Sequence, residues 1–143
     1  MAVQAWLEDQ DVDANRDPPD VEHVARCFVA AIDTQDWHAL AGLLSPTFSA
    51  SYVHTGETFT RESFVAANRD YPGAQRFLLE EVVVSQTQAV LRARVSPASG
   101  TGDTYYVASF ATLQDGQIER SVEVWTDVIA TMPPPHRTAV PLA

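Results

Sequence analysis

The sequence is poor in cysteine and in basic residues. Its 143 residues include one cysteine, and 9 lysines and arginines stand against 19 aspartates and glutamates. A single thiol excludes an intramolecular disulfide, and we expect Cys27 to be a buried apolar residue in a reducing compartment. The formal net charge of −10 argues against binding to nucleic acid or to an anionic membrane surface, because both need clustered Lys and Arg.

Long apolar runs and export signals are also missing. No stretch approaches the length needed to cross a bilayer, and residues 1–19 are acidic, without the basic and apolar regions of a signal peptide. We therefore predict a cytoplasmic protein with a flexible acidic N-terminal arm, residues 1–19, and a proline-rich C-terminal tail, residues 131–143. Between them, residues 20–130 hold enough apolar sequence for a single domain.

Helical patterns fill the first half of that domain. Apolar residues recur at helical spacing from Val21 to Ile32, which predicts an amphipathic helix capped by Asp20. A second, short helix is predicted in WHALAGLLSP and should end at Pro46. The segment FSASYV then alternates as a strand, and Thr60 is placed to cap a third helix that a Pro-Gly pair stops.

Strand patterns fill the second half. Four β-rich runs, separated by SQTQ, SPASGTG and QDGQ, predict an antiparallel meander over residues 77–85, 88–95, 103–113 and 117–127. Helices followed by strands indicate an α+β domain, in which three helices cover one face of a strongly curved sheet. A sheet curved in this way forms a cone, and the cone encloses an interior space.

Three segments carry a resemblance to a known family. They are VARCFVAAIDTQDWHALAGLLSPTF, HTGETFTRESFVAANRDYPG and the closing LQDGQIERSVEVWTD. Across the predicted domain the chain resembles the nuclear transport factor 2-like (NTF2-like) superfamily, and within it the bacterial SnoaL-like proteins, also called polyketide cyclase-like or ketosteroid isomerase-like. Such a resemblance is specific for a fold and weak for a reaction.

The resemblance implies a cone-shaped α+β barrel, with three N-terminal helices packed on a strongly curved, mainly antiparallel sheet around a hydrophobic cavity. It implies a hydrophobic small molecule as the partner of the cavity and a homodimer formed through the outer face of the sheet. We expect no cofactor. A metal site is not expected either, because the four histidines show no HxxxH or HxH spacing.

The same resemblance argues against steroid isomerisation. Ketosteroid isomerases hold the enolate oxygen with a tyrosine on the first helix and a protonated aspartic acid on a later strand. Aligning the first helix puts Phe28 at the tyrosine position, and counting back from Gly116 through Phe110 puts Ala108 at the aspartic acid position. Loss of both donors removes electrostatic stabilisation worth about 3 kcal/mol each.

The last predicted strand supplies two catalytic candidates. Alternation in QIERSVEVWTD places five residues on one face, namely Glu119, Ser121, Glu123, Trp125 and Asp127. The resemblance implies that Glu123 and Asp127 act as acid and base, since a dry cavity raises the pKa of a carboxyl towards the working range. The alternative is an outward polar face, with Ile118, Val122 and Val124 as the buried set.

A third candidate, His54, follows the first predicted strand. It falls near the position of the family's catalytic carboxylate, where a histidine can act as general base near neutral pH. The alternative places His54 in a solvent-exposed turn with Thr55 and Gly56.

Aromatic side chains are expected to shape the ligand pocket. The predicted set is Phe28, Tyr52, Phe64, Tyr71, Tyr106 and Trp125. Tyr105 and Tyr106 are consecutive, so one must point inward and the other outward. Arg92 and Arg94 alternate with apolar residues and are interpreted as a solvent-facing row. The alternative is an inward arginine paired with Asp103 or Asp127, as in epoxide hydrolases of this fold.

The sequence therefore favours a protein that binds a hydrophobic small molecule. If the protein is an enzyme, we expect cofactor-free acid/base chemistry of the cyclase, isomerase or dehydratase type. The competing interpretation is a non-catalytic ligand-binding or dimeric interaction module. An open cavity with an enclosed acid would favour the enzyme, whereas an interior filled by Phe28, Phe110 and Trp125 would favour the module.

Overall fold

The computed structural model describes residues 20–128 and 133–137. The predicted N-terminal arm and most of the predicted tail lie outside these residues. The described helices are α1 Val21–Asp33, α2 Trp37–Leu43 and α3 Arg61–Arg69. The strands are β1 Leu44–Tyr52, β2 Thr58–Thr60, β3 Gln75–Val84, β4 Gln88–Pro97, β5 Tyr105–Gln114 and β6 Gln117–Asp127. None of the described helices is long and apolar enough to span a membrane.

The six strands form one curved, open sheet in the order β2-β1-β6-β5-β4-β3. Strands β3 to β6 are the predicted antiparallel meander, with hairpin neighbours paired along their whole length. Strand β1 pairs with β6 in parallel and with β2 antiparallel. The α+β fold predicted from the order of the elements is confirmed.

A bulge in β6 decides which residues face the interior. The pairing of β5 with β6 shifts between Thr112 and Leu113, so that Ile118 and Arg120 oppose neighbouring residues and Glu119 is the extra residue. The shift lets Ile118 and Ser121 both point inward, and both are buried. Beyond the bulge the alternation resumes, with Glu123 inward and Val124 outward.

The helices cover the concave face of the sheet. Helix α1 packs against β3 and β4 through its predicted apolar face, which includes Val24, Phe28 and Ile32. Phe64 of α3 is almost fully buried, and its ring lies 5.3 Å from that of Phe48 and 6.1 Å from that of Phe28. These aromatic contacts fix the helical layer over the narrow part of the cone.

Local details differ from the prediction at three places. Asp20 occupies the N-cap position of α1, but its side chain makes no capping hydrogen bond. Helix α2 ends at Leu43 and β1 begins at once, so Pro46 lies inside β1, where the pairing with β6 is irregular and a missing N–H is tolerated. Cys27 is half-buried rather than buried, with Sγ 3.5 Å from Nε2 of His23.

Capping is found where the side chains can reach the first helical turn. The Asp36 carboxylate accepts a hydrogen bond from the Ala39 amide at the start of α2. Thr60 and Ser63 form the predicted cap of α3, as a reciprocal capping box. These caps set where the two helices begin.

An ion pair joins the end of α1 to the start of β3. The guanidinium of Arg76 donates to both carboxylate oxygens of Asp33, at 2.9 and 3.3 Å, and the Phe77 amide donates to Asp33 Oδ1 at 2.8 Å. The Arg76 hydrogen bond is the main reason that the pKa of Asp33 is lowered. The contact joins the segments that carry Ile32 and Phe77, which line the same cavity.

Candidate functional site

The wide end of the cone contains a cavity of about 460 Å³. Its walls come from the turn after α1, the β1–β2 hairpin, the end of α3, and strands β3 to β6. A volume of this size is within the usual range for small-molecule sites, about 300–1,000 Å³. The interior is therefore open at this end, and Phe110, expected in the interior by the packed-module alternative, lies exposed on the outer face instead.

Aromatic side chains dominate the cavity wall. Seven of them line it, namely Trp37, Tyr52, Phe59, Tyr71, Phe77, Tyr105 and Trp125. Several form a continuous series, since the ring of Tyr52 lies 4.7 Å from that of Phe59 and 6.2 Å from that of Trp125. Trp125 in turn meets Phe77 edge to face at 6.3 Å. Such a surface favours apolar and aromatic ligands.

Charged side chains lie at the rim. His54 and Glu57 come from the β1–β2 hairpin, Asp127 from the end of β6, and Arg69 from the end of α3. All four are exposed. The guanidinium of Arg69 is already engaged, because it donates to both carboxylate oxygens of Asp70 at 2.9 and 3.3 Å.

Glu123 lies deeper, beyond the aromatic wall. Its residue is 3% exposed, and Ser109 Oγ donates a long hydrogen bond of 3.4 Å to Oε2. The carboxyl borders a void of about 10 Å³, close to the smallest space that holds one water molecule. Four residues line both this void and the open cavity, namely Ile32, Asn68, Phe77 and Trp125. These four side chains separate Glu123 from the cavity.

Burial controls the acidity of Glu123. Desolvation raises the pKa of its carboxyl from the ordinary 4.5 to about 7, because the ionised form loses its hydration inside the cone. Contacts with Ser109 and with the indole of Trp125 act in the opposite direction and limit the rise. The indole Nε1 itself has no fully formed hydrogen bond within the described residues. A carboxyl that titrates near neutral pH can both give and accept a proton.

Burial also controls the acidity of the Tyr52 hydroxyl. Burial raises the pKa of its hydroxyl, and the charges of Glu123 and Glu57 raise it further. The hydroxyl is therefore a hydrogen-bond donor throughout the physiological range. Tyr52 is also the direct partner of Glu123 in the parallel pairing of β1 with β6.

The structure brings together some of the residues singled out in the sequence. Tyr52, Tyr71 and Trp125 line the cavity, as do the catalytic candidates Asp127 and His54. The inward face of β6 is the one that carries Glu123, Trp125 and Asp127, and not the face of Val122 and Val124.

Three of the expected pocket residues lie elsewhere. Phe28 and Phe64 are buried in the core, and Phe28 borders only the small void. The inward member of the tyrosine pair is Tyr105 and not Tyr106, because Tyr106 opposes Thr126 on the outer face.

The position assigned to Ala108 also needs correction. Ala108 pairs with Val124 and Arg92, both exposed, so it lies on the outer face and cannot correspond to an inward acid. The inward residues beside it are Val107 and Ser109, and neither carries a carboxyl. The inward acid next to these residues is Glu123, which is paired with Ser109 on the neighbouring strand.

The arginine-based alternative has no counterpart in the described residues. Arg92 lies on the outer face and approaches Glu80 and Glu81 at 3.5 and 3.6 Å, and Arg94 is exposed. Residues 20–128 and 133–137 also contain no cluster of three or more histidine, cysteine or acidic side chains placed to hold a metal ion.

Sequence reasoning missed several wall residues. Trp37, Phe77 and Tyr105 line the cavity, and Asn68 lies between the cavity and Glu123. Phe77 could have been found from its period-two phase in a correctly located strand, whereas alternation alone does not decide between Tyr105 and Tyr106. Asn68 and Trp37 depend on how the helices are set over the sheet, which the sequence pattern does not specify.

Comparison with known proteins agrees with this architecture. Residues 25–121 match the family model described as a SnoaL-like domain. No curated protein sequence gave a significant match. Among solved structures, a proposed ketosteroid isomerase from Kribbella flavida superimposes with a TM-score of 0.74 at 17% identity, over 85% of this chain and 88% of that chain.

Two further structures share the fold. An LEH-like epoxide hydrolase from M. tuberculosis has a TM-score of 0.62 at 10% identity, over 73% of this chain and 80% of that one. A protein from Catenulispora acidiphila with a ketosteroid isomerase-like fold, solved in complex with trimethylamine, has a TM-score of 0.62 at 13% identity, over 70% and 82% of the two chains. At these identities the likeness establishes the fold alone.

The raised pKa of Glu123 predicts a specific pH dependence of stability. Below pH 4.5 both the folded and the unfolded chain hold the proton, whereas between pH 4.5 and about 7 only the unfolded chain releases it. The free energy of unfolding should therefore fall by about 3 kcal/mol as the pH rises through this window. Glu123→Gln should remove that loss and be more stable than the wild type at about pH 8.

Urea unfolding of wild type and variant at several pH values measures the effect. Glu81→Gln, at an exposed position of β3, is the control and should keep the wild-type slope. Parallel wild-type and Glu123→Gln curves across the window would show that the carboxyl is ionised in the folded protein.

Proposed function

Because the chain belongs to the SnoaL-like family, we propose that it binds a hydrophobic small molecule in its cavity and moves protons on that ligand through Glu123, without a cofactor. The observation that carries the proposal is a buried carboxyl, with a pKa of about 7, directly behind an aromatic cavity of about 460 Å³. The reaction class is proton transfer, as in cyclisation, isomerisation or dehydration.

The cavity supports the binding half of the proposal. Its aromatic wall provides apolar contact area, and the hydroxyls of Tyr52 and Tyr105 offer polar contacts that orient a ligand. Gln75 also lines the cavity, and its Oε1 is buried without a partner among the described residues. A ligand donor at that place would satisfy it. The complex of the Catenulispora protein with trimethylamine supports small-molecule binding by this fold.

The position of Glu123 supports the catalytic half. A general acid or base works best when its pKa is near the working pH, and burial gives Glu123 that property. The ligand would reach the carboxyl between Trp125, Phe77 and Asn68, which border both spaces. A small movement of the Trp125 indole would join the void to the cavity.

The proposal excludes the oxyanion site of ketosteroid isomerases. Phe28 carries no hydroxyl, and the inward residues Val107 and Ser109 carry no carboxyl. Side-chain donors for an enolate formed here include Tyr52, Asn68 and Trp125. Asp127 and His54 remain predicted catalytic groups, but their exposed rim positions suit contact with the ligand better than proton transfer in a dry site.

A second function is favoured by one observation. Glu123 does not line the open cavity, so a ligand that stays there never touches it. The protein would then be a binding module without catalysis. The two functions differ in whether a bound carbon acid exchanges its protons.

Deuterium exchange separates them without knowledge of the natural substrate. A panel of aryl ketones is incubated with the protein in heavy water, and deuterium incorporation next to the carbonyl is followed by proton NMR. The wild type should accelerate exchange for those ketones that bind, and Glu123→Gln should lower the rate about 100-fold or more.

The matched control is Glu119→Gln on the same strand. Its carboxylate accepts hydrogen bonds from Ser45 and Thr47 and lines neither the cavity nor the void. This variant should exchange like the wild type. Equal exchange in Glu123→Gln would remove Glu123 from the mechanism, and binding without any exchange would favour the module.

We also propose a homodimer through the outer face of the sheet. Val83, Val90, Phe110 and Val122 lie in register across four strands and form an apolar row. Phe110 is 48% exposed within the monomer, and Val124 next to the row is also exposed. A contiguous apolar surface of this kind favours association.

A charge placed in the row tests the dimer. Phe110→Glu should sediment as a monomer at concentrations where the wild type sediments as a dimer, because a carboxylate cannot be buried there without a partner. Ala30→Glu, at an exposed position of α1 on the opposite side of the sheet, should sediment like the wild type. A monomeric wild type, or a dimeric Phe110→Glu, would contradict the proposal.

A further inference from the structure

The unpaired charge at the mouth of the cavity is negative. Glu57 and Asp127 line the cavity, and within the described residues neither carboxylate takes part in an ion pair or accepts a side-chain hydrogen bond. Among the lining residues that the structure describes, Arg69 is the one guanidinium, and Asp70 neutralises it through two hydrogen bonds. His54 is the remaining group there that can carry positive charge.

Each carboxylate lies beside a tyrosine of the wall. Asp127 is the direct strand partner of Tyr105, and Glu57 is held opposite Tyr52 by a hydrogen bond from the Tyr52 amide to the Glu57 carbonyl, 2.9 Å long. The electrostatic effect is visible on both phenols. Burial is the main reason that the pKa of Tyr105 is raised, and the charges of Asp103, Tyr71 and Asp127 follow in that order. For Tyr52 burial again comes first, followed by the charges of Glu123 and then Glu57.

The rings behind these carboxylates complete a cation site. The faces of tyrosine and tryptophan rings attract alkylammonium groups, most strongly where water is displaced. The ring of Tyr52 lies 4.7 Å from that of Phe59 and 6.2 Å from that of Trp125, and Tyr71 and Tyr105 add two further rings to the wall. Two carboxylates and several electron-rich rings thus surround one opening.

The charges around this opening disfavour an anionic ligand. It would be repelled by Glu57 and Asp127, and the whole chain carries a net charge of −10. That field attracts cations and slows the approach of anions. A neutral ligand would bind only through apolar contact.

We propose that the ligand of this cavity is an amphiphilic amine, with an ammonium group held at the rim between Glu57, Asp127 and the tyrosine rings and an apolar body directed towards Trp125 and Phe77. The inference rests on the proposed function, because it requires that the cavity binds a small molecule. It adds the chemical class of that molecule.

Three matched probes test the class by isothermal titration calorimetry. They are benzyltrimethylammonium, its neutral carbon isostere neopentylbenzene, and the anion phenylmethanesulfonate. The cation should bind about 10-fold or more tightly than the neutral isostere, and the anion most weakly. Added salt should reduce the preference for the cation, because the carboxylates are at the rim.

Two sets of variants locate the preference. Glu57→Gln combined with Asp127→Asn should weaken the cation about 10-fold and leave the neutral probe within about 2-fold. The control pair, Glu22→Gln with Asp115→Asn, removes the same number of charges outside the cavity lining and should keep the preference. Tyr71→Leu should weaken the cation more than the neutral probe, whereas Tyr71→Phe retains a ring and should keep most of the preference.

The outcomes separate this inference from the proposed function. Equal or tighter binding of the neutral or anionic probe would overturn the amine class and leave a hydrophobic binding site in place. A preference for the cation that persists in the double variant would overturn the assignment to Glu57 and Asp127. Failure of all three probes to bind would overturn the inference together with the binding function on which it rests.

Discussion

The buried carboxyl of Glu123 is the group around which the inside of this protein is organised. An ionised carboxylate would be strongly unfavourable in the apolar cone, and one long hydrogen bond from Ser109 does not compensate for lost hydration. The group therefore keeps its proton up to about neutral pH. The raised pKa lowers the stability of the fold at higher pH. Groups with such shifted pKa values are common at functional sites.

The bulge at Glu119 and the aromatic wall together place Glu123 in this apolar interior. Because the bulge changes the phase of β6, the strand buries Ile118 at one end and still directs Glu123 and Trp125 inward at the other. Ser45 and Thr47 donate hydrogen bonds to the Glu119 carboxylate at the bulge. Trp125 and Phe77 then separate a wet, negatively charged rim from a dry acid. The proposed ligand-binding surface and the proposed acid thereby lie at different depths of one cone.

Much of the fold could be predicted from the sequence, because its signals are local. Helical spacing located α1, the turn sequences separated β3 to β6, and Thr60 marked the start of α3. The face of β6 could not be decided in this way. A strictly alternating strand with Ile118 inside would have turned Glu123 outward, and the bulge that prevents this depends on pairing with β5.

The site was only partly predictable, for a related physical reason. The candidates Glu123, Asp127 and His54 were found by residue type, but their separation into a buried acid and a charged rim depends on the curvature of the sheet. Alternation alone does not say which of Tyr105 and Tyr106 faces inward, and the structure directs Tyr105 into the cavity. Asn68 and Trp37 carry no pattern of their own and enter the site only through the placement of α2 and α3.

Direct titration of the Glu123 carboxyl tests the central claim. Carbon-13 NMR of protein labelled at the glutamate side-chain carboxyls, with the resonance assigned by its loss in Glu123→Gln, reports the protonation of this group in the folded protein. The account predicts a midpoint at about pH 7, well separated from the exposed glutamates. A midpoint near the ordinary value of 4.5 would show a solvated carboxylate and would contradict both the dry interior and the proposed acid/base role.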